Sequence, residues 1–562
     1  MPLDGNVALI TRLLLLACFV FSCAPVAAAD QVIVEPCQRK EPSESEPEAP
    51  ASGDIIVITA SRCEESLVNA PVTMTVISEE AIANAPSQTV TDLMRLVPGV
   101  NITRTSARDV NITSRAPTGT LEDSTLVLLD GRSIYQDFFG FVMWDFIPVD
   151  PLQIKQIEVI RGPASAVWGA NAMTGVVNVI TKTPREMAGT TASIEFGQFD
   201  RTRTGEDFDG GGFFSINATH AAAPSERFAF KVSAGLLTQE ALLRPIGNVP
   251  RTDTQYPAFQ NRGTRQPRLD ARADYDFAGG RSGIILAGGI TGTEGIIHSG
   301  LGPLDVQRGS TFKYGRIAYH RDSFRLQMFV NALDAEGPML LLHGVDGRRL
   351  EPTFENQTYD VEFANANAFG DRHLLSYGGN VRSNRFDLSL ARLGASREEG
   401  GAYAQDRIAL GRRAQWIVGA RLDRFSAVNK TVVSPRTVFI FTPQPRHSLR
   451  VSFNRAFRAP SFFNSFLQTQ FLTQKDLSGV PFNFPSFADG NLDLEEEALT
   501  AYEAAYVGQI GSITLGAATY VNYTEDMILF TQVQRYTSDN PPPGWSRPPA
   551  EIDALDLPFR YS

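Results

Sequence analysis

From about residue 189 to residue 530 the chain alternates apolar side chains with polar or small ones, in runs of about ten residues broken by Gly, Pro, Asp and Asn. Residues 191–198, 227–237, 268–277, 312–320, 325–332, 357–365, 402–409, 415–424 and 448–455 show the pattern. About 15 or 16 such segments precede Phe530, and a period of two over that length sets one face in hydrocarbon and the other in a lumen. A soluble sandwich is built from shorter strands. Tyr319, Phe329 and Tyr403 lie near segment ends, where an interfacial aromatic girdle belongs. Asp322-Ser323 and residues 411–413 are tight turns, whereas 238–267 and 460–498 are long and polar. Short turns on one rim and long loops on the other complete the pattern of a transmembrane β-barrel.

Residues 67–184 have a different texture, that of a compact α/β unit. The run 72–77 (VTMTVI) predicts a strand, and Ser78 then caps a helix whose first turn carries Glu79 and Glu80, where the helix dipole favours acids. Residues 91–96 (TDLMRL) form a second short helix, stopped by Pro98-Gly99. Residues 126–129 are an apolar strand ended by the turn Asp130-Gly131. Residues 154–160 and 176–181 supply two further strands.

The first residues predict export. Arg12 precedes the apolar run 13–20, and Ala27-Ala28-Ala29 offers a cleavage site before Asp30, so 1–29 is expected to be a signal peptide. Cys18 and Cys23 fall within it, leaving Cys37 and Cys63 either paired or as two free thiols. Residues 36–53 hold four prolines and four glutamates with almost nothing apolar, so 30–53 is expected to be a disordered acidic linker. It gives way to the β-prone run Ile55 to Thr59. After residue 29 no stretch has the roughly 18 consecutive apolar residues of a membrane helix. The net charge of −11 excludes a phosphate-binding, nucleic-acid role. Signatures of hydrolases, zinc proteases and phosphate-binding loops are lacking, so no catalytic residue, cofactor or metal is assigned. His298 and His343, isolated in outer loops, make poor metal ligands.

Specific motifs extend this reading. Residues 54–62 (DIIVITASR) resemble a TonB box, and 93–100 (LMRLVPGV), 126–135 (LVLLDGRSIY) and 157–182 (IEVIRGPASAVWGANAMTGVVNVITK) resemble the plug domain of TonB-dependent receptors. Within the barrel, 403–406, 454–461 (NRAFRAPS) and 490–506 resemble recurring strand segments of that family. The resemblance implies a plug (67–184) filling an antiparallel barrel (189–533) of an expected ~22 strands. It implies an outer-membrane location, apolar contact with lipid and action as a monomer. It also implies import of a small extracellular ligand, of the siderophore or cobalamin kind, driven by TonB. The TonB box is assigned to Asp54, Ile55, Ile56, Val57, Ile58, Thr59 and Ala60, an extended stretch suited to adding as a strand to a partner sheet. An edge strand of the plug is the alternative for the same residues. Arg161 is expected to lie against wall carboxylates, with Glu497 and Glu503 as candidates, or else to be an ordinary turn arginine. In the aromatic segment 135–144, Tyr135, Phe138, Phe139 and Trp144 are candidates for ligand contact, with packing against the barrel wall as the alternative.

The C-terminal part departs from the pattern. Residues 539–562 contain six prolines, so 534–562 is expected to be a loop-like tail. With about 16 strands of ~22, the first and last would leave unpaired edges in hydrocarbon. The expectation is therefore an incomplete barrel, with a smaller closed barrel as the alternative. Three other functional readings stay open at this point: a non-functional fragment, a passive pore and an adhesin.

Overall fold

The computed structural model describes residues 56–59, 62, 65–85, 89–116, 124–203, 206–247, 259–299, 302–392, 394, 396–426, 428–511 and 513–562. The expected signal peptide and linker, Asp54, Ile55, Ala60, Cys37 and Cys63 lie outside them.

The α/β unit forms where its propensities place it. Its central sheet has five strands in the order Met74–Ser78, Ile154–Arg161, Gly175–Thr181, Thr125–Leu129, Arg132–Ser133. Ile154–Arg161 runs antiparallel to both its neighbours, and Gly175–Thr181 runs parallel to Thr125–Leu129. Ser78 caps the helix Glu79–Asn84 by accepting the Ala81 N–H at 3.3 Å. Thr89 caps Val90–Leu93, which tightens into a 3-10 turn, Met94–Leu96. Strands covered on both faces need apolar side chains at nearly every position. Ile154, Ile157, Val176, Val179 and Val127 accordingly form the core with Leu93 and Met94.

The remainder is an antiparallel meander of 15 strands, from Gly189–Arg203 to Ile513–Glu525, each paired to the next along the chain within the wall. Alternation is plainest in Thr353–Phe369, where Phe354, Asn356, Thr358 and Asp360 are buried while Tyr359, Val361 and Phe363 are exposed. The exposed face carries an apolar band (Ile194, Phe196, Leu286, Met328, Val381, Leu422, Val451), as lipid requires. Tyr319 joins Phe277 and Phe324 near one rim, as a girdle residue should. Phe329 and Tyr403 do not. Their strand parity points them inward, and both are buried.

The inward face is polar and grips the α/β unit from many directions. Lys231 reaches Lys182 O (2.8 Å), Arg268 reaches Val149 O (3.0 Å), Arg132 reaches Asn331 (2.6 Å) and Arg436 reaches Pro71 O (2.9 Å). The unit therefore sits within the curl of the sheet rather than outside it.

One rim carries connections such as 277–281, 322–323, 370–372 and 410–413, and the other carries 240–247, 259–263, 293–299, 302–310, 337–352 and 459–496. The segment 460–498, expected as a long polar loop, contains the helix Phe462–Phe466 and the hairpin Gln468–Asp476/Pro481–Asp489. The helix begins with a capping box, Ser461 and Asn464 bonding each other's backbone N–H. The proline-rich tail is also folded. Gln532–Arg535 pairs with Pro558–Tyr561, which lies parallel to Pro481–Asp489, and Phe484, Tyr536, Ile552 and Leu557 make a small core there. The chain leaves the wall after Glu525, turning at Asp526 (φ 55°), short of the expected barrel limit at 533.

Among the described residues Gly189–Arg203 pairs only with Glu206–Ala222, and Ile513–Glu525 only with Glu497–Ile510. The meander is thus an open sheet around its contents, as expected for a first strand without a closing partner, and both outer edges need hydrogen-bond partners in hydrocarbon.

Close backbone packing in the central sheet is tightest at Gly175, where a Cβ would stand 2.6 Å from Ile160 O. Gly175→Ala is expected to destabilise the α/β unit by about 1–3 kcal/mol through overpacking, read as a lower unfolding temperature of that unit by calorimetry.

Candidate functional site

The inner end of the α/β unit holds the segment 56–59 in a docked position. Ile56-Val57 pairs antiparallel with Glu65-Ser66, Val57 and Thr59 are fully buried, and Ile56 is half exposed. Glu158, itself buried, accepts the N–H of Ile58 (3.1 Å) and of Thr59 (2.7 Å). Gln156 bridges Glu158 (2.6 Å) and Ile56 O (3.2 Å). Thr59 O accepts from Trp168 Nε1 (2.9 Å), and Thr59 Oγ1 from Asn178 (3.0 Å). Arg62 lies 4.1 Å from the Trp168 ring centroid and pairs with Glu362 of the wall (2.5 Å). The segment is therefore an edge strand when docked, with its amides engaged by a side-chain carboxylate that a partner backbone can replace.

Around the middle, charge holds the unit to the wall. Glu503 meets Arg115 (2.6 Å) and Arg450 (2.9 Å) and accepts from Thr73 (2.6 Å). The contact expected of Arg161 is made by Arg115 instead. Arg161 turns its guanidinium to Pro98 O (2.7 Å), and burial together with the neighbouring Arg115 lowers its proton affinity. Glu497 pairs with Arg458 of the wall (2.6 Å) and accepts the Ile528 N–H (2.5 Å), so it does not touch Arg161. Arg115 has φ 58° just after the strand Val110–Ser114, and no sequence pattern marks it.

The outer end is covered. Tyr135-Gln136 and Phe141-Val142 form a two-stranded hairpin turning at Gly140 (φ 80°). Tyr135, Phe138 and Trp144 are buried, and Phe139 is half-buried. Phe138 lies 5.8 Å from Phe354 of the wall, and Phe139 lies 4.4 Å from Phe463 of the loop helix. Trp144 packs apart from them in the central core. The four candidate aromatics are thus not presented to the outside: Phe462–Phe466 sits on Phe138 and Phe139 as a lid, and Tyr135 and Trp144 are packed into the central core. The lid is held by backbone, with the N–H of Phe462 on Asp137 O (3.0 Å) and that of Phe463 on Phe138 O (2.9 Å).

Asp137 was not singled out by its sequence, yet it organises this end. Its buried carboxylate accepts from Asn384 (3.1 Å) and Asn171 (3.5 Å) and faces Arg382 (3.8 Å) and Arg397 (3.9 Å). Burial, and then the Glu399 carboxylate, push Asp137 above the ordinary carboxylate range, against the pull of the two arginines. Arg397 also donates to Pro460 O (2.8 Å) at the root of the lid. His298 donates its backbone N–H to Asp109 (2.8 Å), and His343 O accepts from Leu472 (2.8 Å). Among the described residues no group of three or more His, Cys, Asp or Glu is placed to hold a metal ion.

Two family profiles match the chain, "TonB-dependent Receptor Plug Domain" over residues 66–176 and "TonB dependent receptor-like, beta-barrel" over residues 192–550. The chain is a TonB-dependent receptor of the outer membrane. It is 24% identical over 510 residues to the vitamin B12 transporter BtuB of Vibrio vulnificus, covering 85% of this chain and 72% of that protein. The ferrienterobactin receptor of Escherichia coli is 33% identical over 165 residues, 26% of this chain and 20% of that one. Among solved structures, the siderophore receptor PirA from Acinetobacter baumannii aligns with a TM-score of 0.63 at 18% identity, covering 81% of this chain and 71% of that one. A ferric enterobactin receptor variant from Pseudomonas aeruginosa in complex with enterobactin gives 0.65 at 17% identity, with 88% and 76% covered. The α/β unit is the receptor's plug, and the family is one of transport proteins rather than enzymes.

Removing the shared carboxylate of the plug–wall seam leaves two buried guanidiniums without their counter-charge. Glu503→Gln is expected to weaken plug seating by about 3–5 kcal/mol, seen as plug unfolding at lower urea while the wall stays folded.

Proposed function

We propose that this receptor binds a metal–siderophore chelate or a cobalamin at its outer mouth and moves it inward when TonB pulls on residues 54–60. The observation that carries this is the docking of 56–59. A short β-prone segment lies on the plug's inner end, engaged through Glu158 and three side-chain donors, Gln156, Trp168 and Asn178, rather than a full ladder. Such a hold is firm enough to park the segment and weak enough to exchange for a partner's edge strand, since each hydrogen bond contributes only about 0.5–1.5 kcal/mol net. Backbone pairing bears load along the strand, so a pull on the segment is delivered to the plug sheet through Glu158 in Ile154–Arg161.

The ligand class follows from the vitamin B12 transporter and enterobactin receptors that the chain resembles. Tyr135, Phe138 and Phe139 then form the floor of the outer site, reached once the lid lifts, with Trp144 stiffening the plug beneath. The plug's boundaries are taken as 67–184, with the wall beginning at 189. A passive pore is disfavoured by a plug hydrogen-bonded to the wall on many sides, which stands in the way of free diffusion. The receptor acts as a monomer, with its apolar outer face against lipid.

Ile56→Pro, and separately Val57→Pro, removes a backbone donor from the box and is expected to cut uptake of ferric enterobactin or cyanocobalamin at least roughly tenfold, with binding to whole cells changed by less than about twofold. Growth limited by iron or by cobalamin provides the uptake readout, and equilibrium binding of the labelled compound provides the other. Undiminished growth-dependent transport in both variants would remove the box assignment.

A further inference from the structure

Between the plug and two neighbouring wall strands, Phe228–Gln239 and Thr264–Asp276, lies a cavity of about 40 Å³. Three arginines line it, Arg104 and Arg108 from the plug and Arg268 from the wall. Asp145 is the one carboxylate among the described residues that line it, and Trp144, Ile147 and Leu237 make much of the remaining surface apolar.

The charges here do not cancel. Arg104 donates to Asp92, which does not line the cavity (3.0 Å). Arg108 is only 5% exposed; its Nε and Nη2 donate to Asp145 (2.8 and 2.6 Å), and its Nη1 has no partner. Arg268 donates from Nη1 to Val149 O (3.0 Å), while its Nε and Nη2 are buried without a partner. Asp150, next in the chain to Val149, turns its carboxylate to the Leu152 N–H instead (2.9 Å). Three cations thus meet two carboxylates, and the cation left over is the one on the wall.

A guanidinium stays protonated wherever it is placed, and a buried one without a counter-charge is far costlier than a paired one. Nε and Nη2 form one edge of the guanidinium, two parallel N–H groups that together grip a single anion. The apolar walls strengthen that attraction by keeping the local dielectric low. The space exceeds the roughly 10–15 Å³ that one water requires and suits a monatomic anion. We propose that this cavity binds a chloride-sized inorganic anion, held by the unpartnered edge of Arg268 and by Arg108 Nη1. The anion is the counter-charge that completes the joint between plug and wall on this side. Glu503 does the same for Arg115 and Arg450, but it is fixed to the chain, whereas a diffusible ion binds and leaves.

The experiment follows urea unfolding of the plug, with the full chain in lipid vesicles, in sodium chloride and in sodium gluconate at one ionic strength of about 0.15 M. The plug is expected to unfold at higher urea in chloride, with the saturating concentration dependence of a single site. Gluconate, a bulky organic anion, should not replace it. Arg268→Gln removes the uncompensated cation, so its plug should unfold at nearly the same urea concentration in both salts. That midpoint is expected at or above the parent's in gluconate and below the parent's in chloride. The crossing separates a counter-ion site from an ordinary structural arginine, whose loss lowers the midpoint in both salts. Arg268→Lys keeps the charge without the fork and should weaken chloride binding at least about tenfold. Broadening of the chloride nuclear resonance by the parent, relieved by bromide and missing in Arg268→Gln, reports binding directly. Equal parent midpoints in the two salts, a chloride dependence that survives in Arg268→Gln, or a lowered midpoint for that variant in both salts would each overturn the proposal.

Discussion

Charged groups buried between plug and wall set the terms for everything else in this receptor. A wide β-wall must be filled, and apolar filling would bind the plug permanently, while unpaired polar filling would not bind it at all. Arg115, Arg450 and Glu503 in the middle, and Asp137 with Arg382, Arg397 and Glu399 at the outer end, resolve this by pairing across the seam. Each ion is costly to strand alone and replaceable by water when its partner moves away. The seam is therefore stable as a whole and separable piece by piece.

That same property distributes the work along the plug. The inner end parks an extended segment, the middle anchors it to the wall, and the outer end is closed by a helix seated on two backbone carbonyls. None of the three resembles a preformed pocket for a large ligand, because the aromatics of the outer mouth are covered. The closed mouth matches a resting receptor, in which the lid and the box are both seated.

The fold was legible because its signals are local. Alternation over about ten residues marks a wall strand wherever it occurs, and Ser78, Pro98-Gly99 and Asp130-Gly131 punctuate the plug within a few residues of where the elements begin and end. The seam was much less legible. A period of two says that Glu503 and Arg397 face inward, but not which plug residue meets them, and Asp137 and Arg397 are far apart in the chain. The family motif drew attention to Arg161, whereas Arg115, in an unremarkable turn, reaches Glu503. The aromatic run 135–144 was visible as chemistry, and its cover was not. The lid helix is five residues long, too short for helical periodicity to show, and only the Ser461/Asn464 cap announces it.

The outer layer has an implication for how the protein assembles. Its small core joins Phe484, from the connection before the strand Glu497–Ile510, to Tyr536, Ile552 and Leu557, which follow the strand Ile513–Glu525. Its parallel pairing, Phe487 with Arg560, closes the same loop in the chain. Each half pairs within itself, but the two cannot meet until the hairpin between them has been made. The layer that joins them is consequently completed only after the strands Glu497–Ile510 and Ile513–Glu525 have been made. A chain that stalls earlier would present bare phenylalanines to the assembly machinery, a natural mark for quality control.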